Sequence, residues 1–289
     1  MHTPSLQAFV ATATQAARRA AREITYAAKD LDLLKIEDKA ANDFVTNADR
    51  AAEAAIIEEL QRAYPRHSIL CEESGLIGDP KSDYRWIVDP LDGTTNFIHG
   101  LPQYAVSIGL TYRGDIIAGV IYDVAKNELF TAAKGQGAFL DNRRIRVSET
   151  KDLRRALIGT GFPFRRGDNF AGYLEAFERV ARRAAGLRRP GSAALDLAWV
   201  ACGRYDGFWE LNLKPWDLCA GILLVLEAGG LITDMEGSEN WLETGCVCAG
   251  NPKIFGQLLP LVGTMKPAAE SSRRTLTAKT KPVEEDAES

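Results

Sequence analysis

The segment Asp89-Pro90-Leu91-Asp92-Gly93-Thr94-Thr95-Asn96-Phe97 constrains this chain more than any other. The apolar run Trp86-Ile87-Val88 leads directly into it and reads as a buried strand, so two acids arrive together at the strand's C-terminal end, where a chain turns. Two carboxylates so placed repel each other unless a cation shares them, and hard divalent cations such as Mg²⁺ take oxygen ligands of this kind. Gly93 lets backbone N–H groups approach a ligand closely, and Thr94 and Thr95 add hydroxyl oxygens. A helix beginning here would turn its free N–H groups toward an anion such as phosphate. By spacing alone, an Asp-x-x-Asp-Gly turn is more often a solvated loop with capping acids.

Around this turn the chain reads as stacked layers of helices and sheets. A first helix spans Pro4 to about Asp30, and a strand and turn at 43–49 lead to a second helix that stops at Pro65. Ser68-Ile69-Leu70-Cys71 is a strand delivering Glu72 and Glu73, and 76–84 is a surface loop. Antiparallel strands follow at 104–112, 116–123 and 127–133, with Arg113-Gly114-Asp115 as a hairpin turn, and a strand pair at 136–147. Beyond a seam near 148–154, strands at 156–160, 205–211, 231–233 and 246–249 alternate with helices at 169–185, 192–202, 215–228 and 252–263. Three regions result: 1–150 with the acidic turn, 151–265 as an α/β part, and 266–289 as a polar, disordered tail.

Composition excludes more than it proposes. A net charge of −4 gives no electrostatic argument for nucleic acid or an anionic membrane, and no apolar run is long enough to span a bilayer. His2, His67 and His99 are scattered without zinc spacing. Five cysteines, mostly in apolar segments, fit reduced thiols in a cytoplasmic protein better than a disulfide framework. Cys246-Val247-Cys248 alternates, which places both thiols on one face of a strand.

The nine-residue string resembles the first signature of the inositol monophosphatase family, Mg²⁺-dependent, Li⁺-sensitive phosphatases of small sugar and polyol phosphates. Further fragments match that family: Glu72-Glu73-Ser74 after a strand, Asp43 to Asp49, the Gly191-Ser192-Ala193 turn with Glu210, and Trp216-Asp217-Leu218-Cys219-Ala220-Gly221 at a helix start. Phe162-Pro163-Phe164 and Arg188 to Ala198 bring the chain close to the family's bacterial SuhB-type members. The resemblance covers about residues 5–263, and the tail departs from it.

It implies a sugar-phosphatase fold of alternating αβαβα layers. It implies that Glu72, Asp89 and the Leu91 carbonyl hold one Mg²⁺, and that Asp89 bridges to a second, completed by Asp92 and Asp217. Thr94, hydrogen-bonded to an acid such as Asp49, would orient the attacking water, with Glu72 and Asp49 as its catalytic partners. Gly93 and Thr94 would grip the phosphate. Asp92, Gly191, Ser192, Ala193 and Glu210 would face the ring hydroxyls, and Lys39 is a candidate to neutralise phosphate. The implied substrate is myo-inositol 1-phosphate; fructose 1,6-bisphosphate, NADP and histidinol phosphate are alternatives. A homodimer is implied. SuhB-type members also imply an RNA-polymerase antitermination partner, for which Arg182, Arg183, Arg188 and Arg189 offer a surface.

Overall fold

A computed structural model describes residues 5–40, 43–163 and 169–263. The sequence-predicted tail at 266–289 and Phe164 lie outside the described residues.

The first helix, α1 (Leu6–Ala27), is capped by the Ser5 hydroxyl, which accepts the Ala8 amide at 3.3 Å. Alanines 13, 16, 17, 20 and 21 form its buried stripe, small enough for close approach to its neighbours. The hairpin β1 (Ile36–Ala40) and β2 (Asp43–Thr46) leads into α2 (Asn47–Ala63), where Thr46 and Asp49 form a capping box. Then come β3 (Ser68–Cys71), β4 (Gly75–Ile77) and β5 (Tyr84–Asp92). A short helix α3 (Thr94–Ile98) precedes β6 (Ala105–Tyr112), β7 (Asp115–Asp123), β8 (Glu128–Ala133), β9 (Gly137–Leu140) and β10 (Arg143–Arg144). These strands form one eight-stranded sheet in the order β10-β9-β8-β7-β6-β5-β3-β4. The sequence places a surface loop at 76–84; its first residues instead pair with β3, Leu70 opposite Leu76.

The remaining elements are β11 (Leu157–Thr160), α4 (Phe170–Ala181), β12 (Gly186–Arg188), α5 (Ala193–Ala201), β13 (Gly207–Glu210), α6 (Pro215–Glu227), β14 (Leu231–Thr233), α7 (Trp241–Thr244), β15 (Val247–Gly250) and α8 (Pro252–Val262). The second sheet runs β12-β11-β13-β15-β14, with β11 parallel to both neighbours.

Three hydrophobic cores hold five layers together. α1 and α2 pack on the large sheet through Phe9, Ile24, Ile56, Leu60, Trp86 and Val88. α5 and α6 fill the space between the sheets, with Leu197, Leu218 and Ile222 meeting Ile121 and Phe130 on one side and Phe208 and Val247 on the other. α4 and α8 cover the outer face of the small sheet, where Tyr173 and Leu258 join Trp209, Cys246 and Cys248. The alternation along β15 is thus visible in the packing: Val247 and Ala249 face the middle helices, and Cys246 and Cys248 the outer ones. The architecture is a layered α+β fold with the order αβαβα. No described helix is long and apolar enough to cross a membrane.

Close approach of α6 to the large sheet positions Asp217. A Cβ on Gly109 of β6 would lie 2.3 Å from Cys219 Sγ, and one on Gly119 of β7 would lie 3.0 Å from Ala220 Cα. Glycines on the sheet therefore let α6 lie almost directly on β6 and β7, which brings its first turn, with Asp217, beside the end of β5.

Candidate metal and phosphate site

Strand β5 is irregular where its acids sit. Asp89 pairs with Ser107 and Asp92 with Ala105, so β5 spends one more residue than β6 between these pairs. Pro90, which has no N–H to give a ladder, occupies this bulge. The Leu91 amide turns back to Asp89 Oδ1 at 3.0 Å. The strand extends through both acids to Asp92, further than its apolar run marks. Gly93 then takes φ 95°, a left-handed conformation costly for other residues, and α3 starts at Thr94. A Cβ at Gly93 would lie 2.8 Å from the Gln103 carbonyl oxygen, so both conformation and space require glycine here.

Asp89, Asp92 and Asp217 present carboxylate oxygens that all lie within 4.8 Å of one another. Asp217 stands in the first turn of α6 and accepts the Lys214 amide at 2.7 Å, which fixes its carboxylate at the helix N-terminus. Asp92 Oδ2 accepts the Ser192 hydroxyl at 2.6 Å and the Ala194 amide at 2.8 Å, binding β5 to the start of α5. Buried Asp89 and half-buried Asp92 carry the electrostatic cost of this convergence. Burial, with the fields of Glu72, Asp92 and Asp217, holds the Asp89 carboxyl well above its ordinary range. Burial pushes Asp92 up to about 6 against the lowering effect of its hydrogen bonds from Ser192 and Ala194.

Glu72 follows β3, its amide bonded to the Val88 carbonyl at 3.1 Å, and faces the same cleft. Its Oε1 accepts from Lys39 Nζ at 2.8 Å, and the same ammonium contacts Glu73. Burial alone would lower the Lys39 ammonium, but these two acids outweigh it and hold it above its usual range. Glu73 is no solvated bystander. Burial pushes it up to about 7, and its amide donates to Glu53 Oε2 at 3.0 Å.

Asp49 lies beneath the cleft floor, 1% exposed. It accepts from the Thr46 amide at 2.8 Å and the Thr46 hydroxyl at 2.6 Å. Its other oxygen stands 2.9 Å from Thr94 Oγ1, which is also 3.0 Å from the Leu91 carbonyl oxygen. Burial raises the Asp49 carboxyl, opposed by the hydrogen bonds from Thr46 and Thr94.

The structure thus brings Glu72, Asp89, Leu91, Asp92, Gly93, Thr94, Gly191, Ser192, Ala193, Glu210 and Asp217 to the lining of one cleft of about 380 Å³, with Asp49 just behind it. Glu210 ends β13, and a Cβ on Gly161 would lie 1.8 Å from its Oε1, so Gly161 leaves the space this carboxylate fills.

Some supporting residues escaped sequence reasoning. Asn96 Nδ2 donates to the carbonyls of Gln103 and Pro190, both at 2.8 Å, tying α3 to the 190–191 turn. Glu53 is 2% exposed and holds the turn after Glu72 through Glu73 and Ser74. It lies one helical turn beyond Asp49 on the same face of α2, a spacing that could have marked it. Asp196 in α5 is buried with Oδ1 unpaired, its carboxyl held well above the ordinary range by burial and by the fields of Glu210 and Asp92.

Three acids thus gather at a strand end in a layered α+β fold, beside a short helix that starts after Gly93. Residues 5–265 match the model of the inositol monophosphatase family. The Nus factor SuhB of Pseudomonas aeruginosa is 49% identical over 261 residues, covering 89% of this chain and 96% of that protein. The crystal structure of the extragenic suppressor protein suhB from Bartonella henselae superposes with a TM-score of 0.86 at 46% identity, over 88% of this chain and 98% of that one. The inositol monophosphatase of Anabaena superposes with a TM-score of 0.77 at 39% identity, over 91% and 98% of the two chains. The chain belongs to the inositol monophosphatase family.

Proposed function

We propose that the protein is a Mg²⁺-dependent phosphatase that hydrolyses a small polyol phosphate monoester, with myo-inositol 1-phosphate as the simplest substrate. The observation that carries this is the convergence of Asp89, Asp92 and Asp217 within 4.8 Å at the floor of a substrate-sized cleft. Buried like charges are costly unless a cation neutralises them. The cleft lining contains neither histidine nor cysteine among the described residues, so the donors are carboxylate, carbonyl and hydroxyl oxygens, the set that suits Mg²⁺. Glu72, Asp89, the Leu91 carbonyl, Asp92 and Asp217 would hold it. Bound there, Mg²⁺ acidifies water and stabilises the charge that builds on the phosphate and the departing oxygen.

The chain's own residues do the positioning. With its proton directed to Asp49, the Thr94 hydroxyl keeps its lone pairs for an incoming water and orients it. Thr94 Oγ1 can take that water's proton as it passes its own to Asp49 Oδ1, a buried carboxylate whose raised pKa makes it a better base. Backbone amides at Gly93 and Thr94 hold phosphate oxygens. Glu210 and the 191–193 turn accept and donate to the hydroxyls of the polyol. Li⁺ inhibits in this reading, because a site built for Mg²⁺ can trap a similar-sized monovalent ion once product has formed. The reading places the protein in the cytoplasm as a homodimer. Phosphate release from inositol 1-phosphate in Mg²⁺ tests it.

Asp92 has a folded pKa of about 6, above its ordinary 3.8. Its contribution to the stability of the metal-free fold is therefore complete at low pH and lost as pH rises through 6, while the ionised cluster gains cation affinity. Mg²⁺ at a hundredfold excess over its Kd adds about 2.7 kcal/mol, or roughly 5 °C in Tm for a chain of this size. That shift is expected at pH 8 and should shrink markedly at pH 5 in a thermal melt. Equal shifts at both pH values would contradict the assignment.

A second reading is favoured by the relative named as a Nus factor. In it the protein also engages a transcription complex, through a surface that includes Arg182, Arg183, Arg188 and Arg189. RNase-treated pull-down with a turnover-dead variant tests it, since binding would survive the loss of chemistry.

A further inference from the structure

A second groove, of about 440 Å³, lies between the β6–β7 hairpin, the C-terminal half of α6 and α7. Its floor is apolar, lined by Ile116, Ile222, Leu223, Leu226 and Leu242 with Trp241. Leu226 is 41% exposed, whereas every residue of α6 from Leu218 to Val225 is buried, so the groove is where this helix shows apolar surface to water. The rim is acidic. Glu239 and Glu243 are exposed and enter no ion pair among the described residues. Glu227 accepts the Gly135 and Gly137 amides at 2.6 and 2.7 Å, which fix its carboxylate without neutralising it. The lysine of the lining, Lys134, is already taken by Asp115 at 2.9 Å.

Residues 271–281 have the complementary chemistry. Arg273, Arg274, Lys279 and Lys281 supply four cations, no acid intervenes, and Leu276 near the centre is the one large apolar side chain. They lie beyond residue 265, where the family match ends.

The described fold ends beside this groove. A Cβ on Gly263, just past α8, would lie 2.8 Å from the Met235 carbonyl oxygen, and one on Gly237 would lie 4.0 Å from Leu259 Cδ2 of α8. The turn at 234–238 is closed on itself: the Asp234 amide donates to the Ser238 carbonyl at 2.8 Å, and the Asp234 carboxylate accepts the Glu236 and Ser238 amides, both at 2.9 Å. Glu239 follows that turn directly, four residues from Met235 and so at most about 14 Å away. Arg273 stands ten residues beyond Gly263, a reach of up to about 33 Å. The connection is long enough with slack to spare.

We infer that residues 271–281 dock in this groove of their own chain, with Leu276 on the apolar floor and the four cations on the acidic rim. A segment too polar to build a core needs none for this, because one leucine and several ion pairs suffice when a short tether keeps the local concentration high.

Limited chymotrypsin digestion of the full chain reads the docking at the Leu276–Thr277 bond, since the cut follows the undocked population. E239K/E243K in the groove, or R273E/R274E in the segment, should each speed that cut about tenfold, as reversal of two exposed ion pairs allows. The four changes combined should restore wild-type protection. Raised salt should also speed the wild-type cut, because exposed pairs are screened. A cut at the wild-type rate in both double variants overturns the inference. Carbodiimide cross-linking with mass spectrometry identifies the occupant: bonds from Lys279 or Lys281 to Glu239 or Glu243 within one chain are expected. The same bonds between two chains, or bonds only to acids elsewhere on the fold, overturn the assignment. Thermal melts of the variants establish that they are folded.

Discussion

Asp92→Asn is expected to lower phosphatase turnover by on the order of 10³-fold while leaving the protein folded. The structure explains both halves of that result. Asp92 Oδ2 is already engaged by the Ser192 hydroxyl and the Ala194 amide, and an asparagine oxygen can accept both. The link between β5 and α5 therefore survives. The carboxylate's negative charge does not, and with it goes one of the three oxygen donors that converge beside Asp89 and Asp217. Removing one of several mutually repelling acids should even raise the Tm of the metal-free protein slightly. Near-normal turnover by a folded Asp92→Asn protein would take Asp92 out of the chemistry.

Thr94→Val should lower kcat by about 10²- to 10⁴-fold, the usual contribution of a positioned proton-transfer group. Valine matches threonine in shape, so α3 should still start where it does. What disappears is the hydroxyl that stands 2.9 Å from Asp49 and 3.0 Å from the Leu91 carbonyl. Asp49, 1% exposed, keeps only its partners from Thr46, and its carboxyl should be harder to ionise. Thr94→Ser restores the hydroxyl and should recover most of the loss. Steady-state kinetics with thermal melts on the pair decides the matter: a loss of kcat in Val at an unchanged Tm is the expected result, and near-normal turnover in Val would take the hydroxyl out of the chemistry.

Much of this site could be read from the sequence because its chemistry is local. Asp89, Asp92, Gly93 and Thr94 lie within six residues of one another, and the turn that presents them is a property of that string, whereas Glu72 and Asp217 were legible only through the family resemblance. The β6–β7 hairpin was legible for the same reason: Arg113 and Gly114 take φ of 52° and 93°, the left-handed pair that a tight turn between twisted strands requires. Period-two alternation at Cys246-Val247-Cys248 likewise translated directly into opposite faces of β15.

Other features had no local signal. α3 has five residues and β12 three, too few for either periodicity to register. β4 is only Gly75-Leu76-Ile77, too short to register beside the glycine, proline and charged residues that follow it, and its pairing with β3 is a tertiary choice. The hydrogen bonds from Ser192 to Asp92 and from Asn96 to Pro190 join segments roughly a hundred residues apart. They exist because the middle helices lie between the two sheets, which no window of sequence displays. The bulge at Pro90 was likewise not read from the sequence, and it shows only in the register that sets Ser107 and Ala105 opposite Asp89 and Asp92.

The most direct measurement is phosphate release from inositol 1-phosphate by the purified protein in Mg²⁺, in EDTA, and in Mg²⁺ with Li⁺. Release that requires Mg²⁺ and is suppressed by millimolar Li⁺ is the expected result. No release in Mg²⁺, or equal release in EDTA, would contradict the account and leave the convergence of Asp89, Asp92 and Asp217 without the role assigned to it.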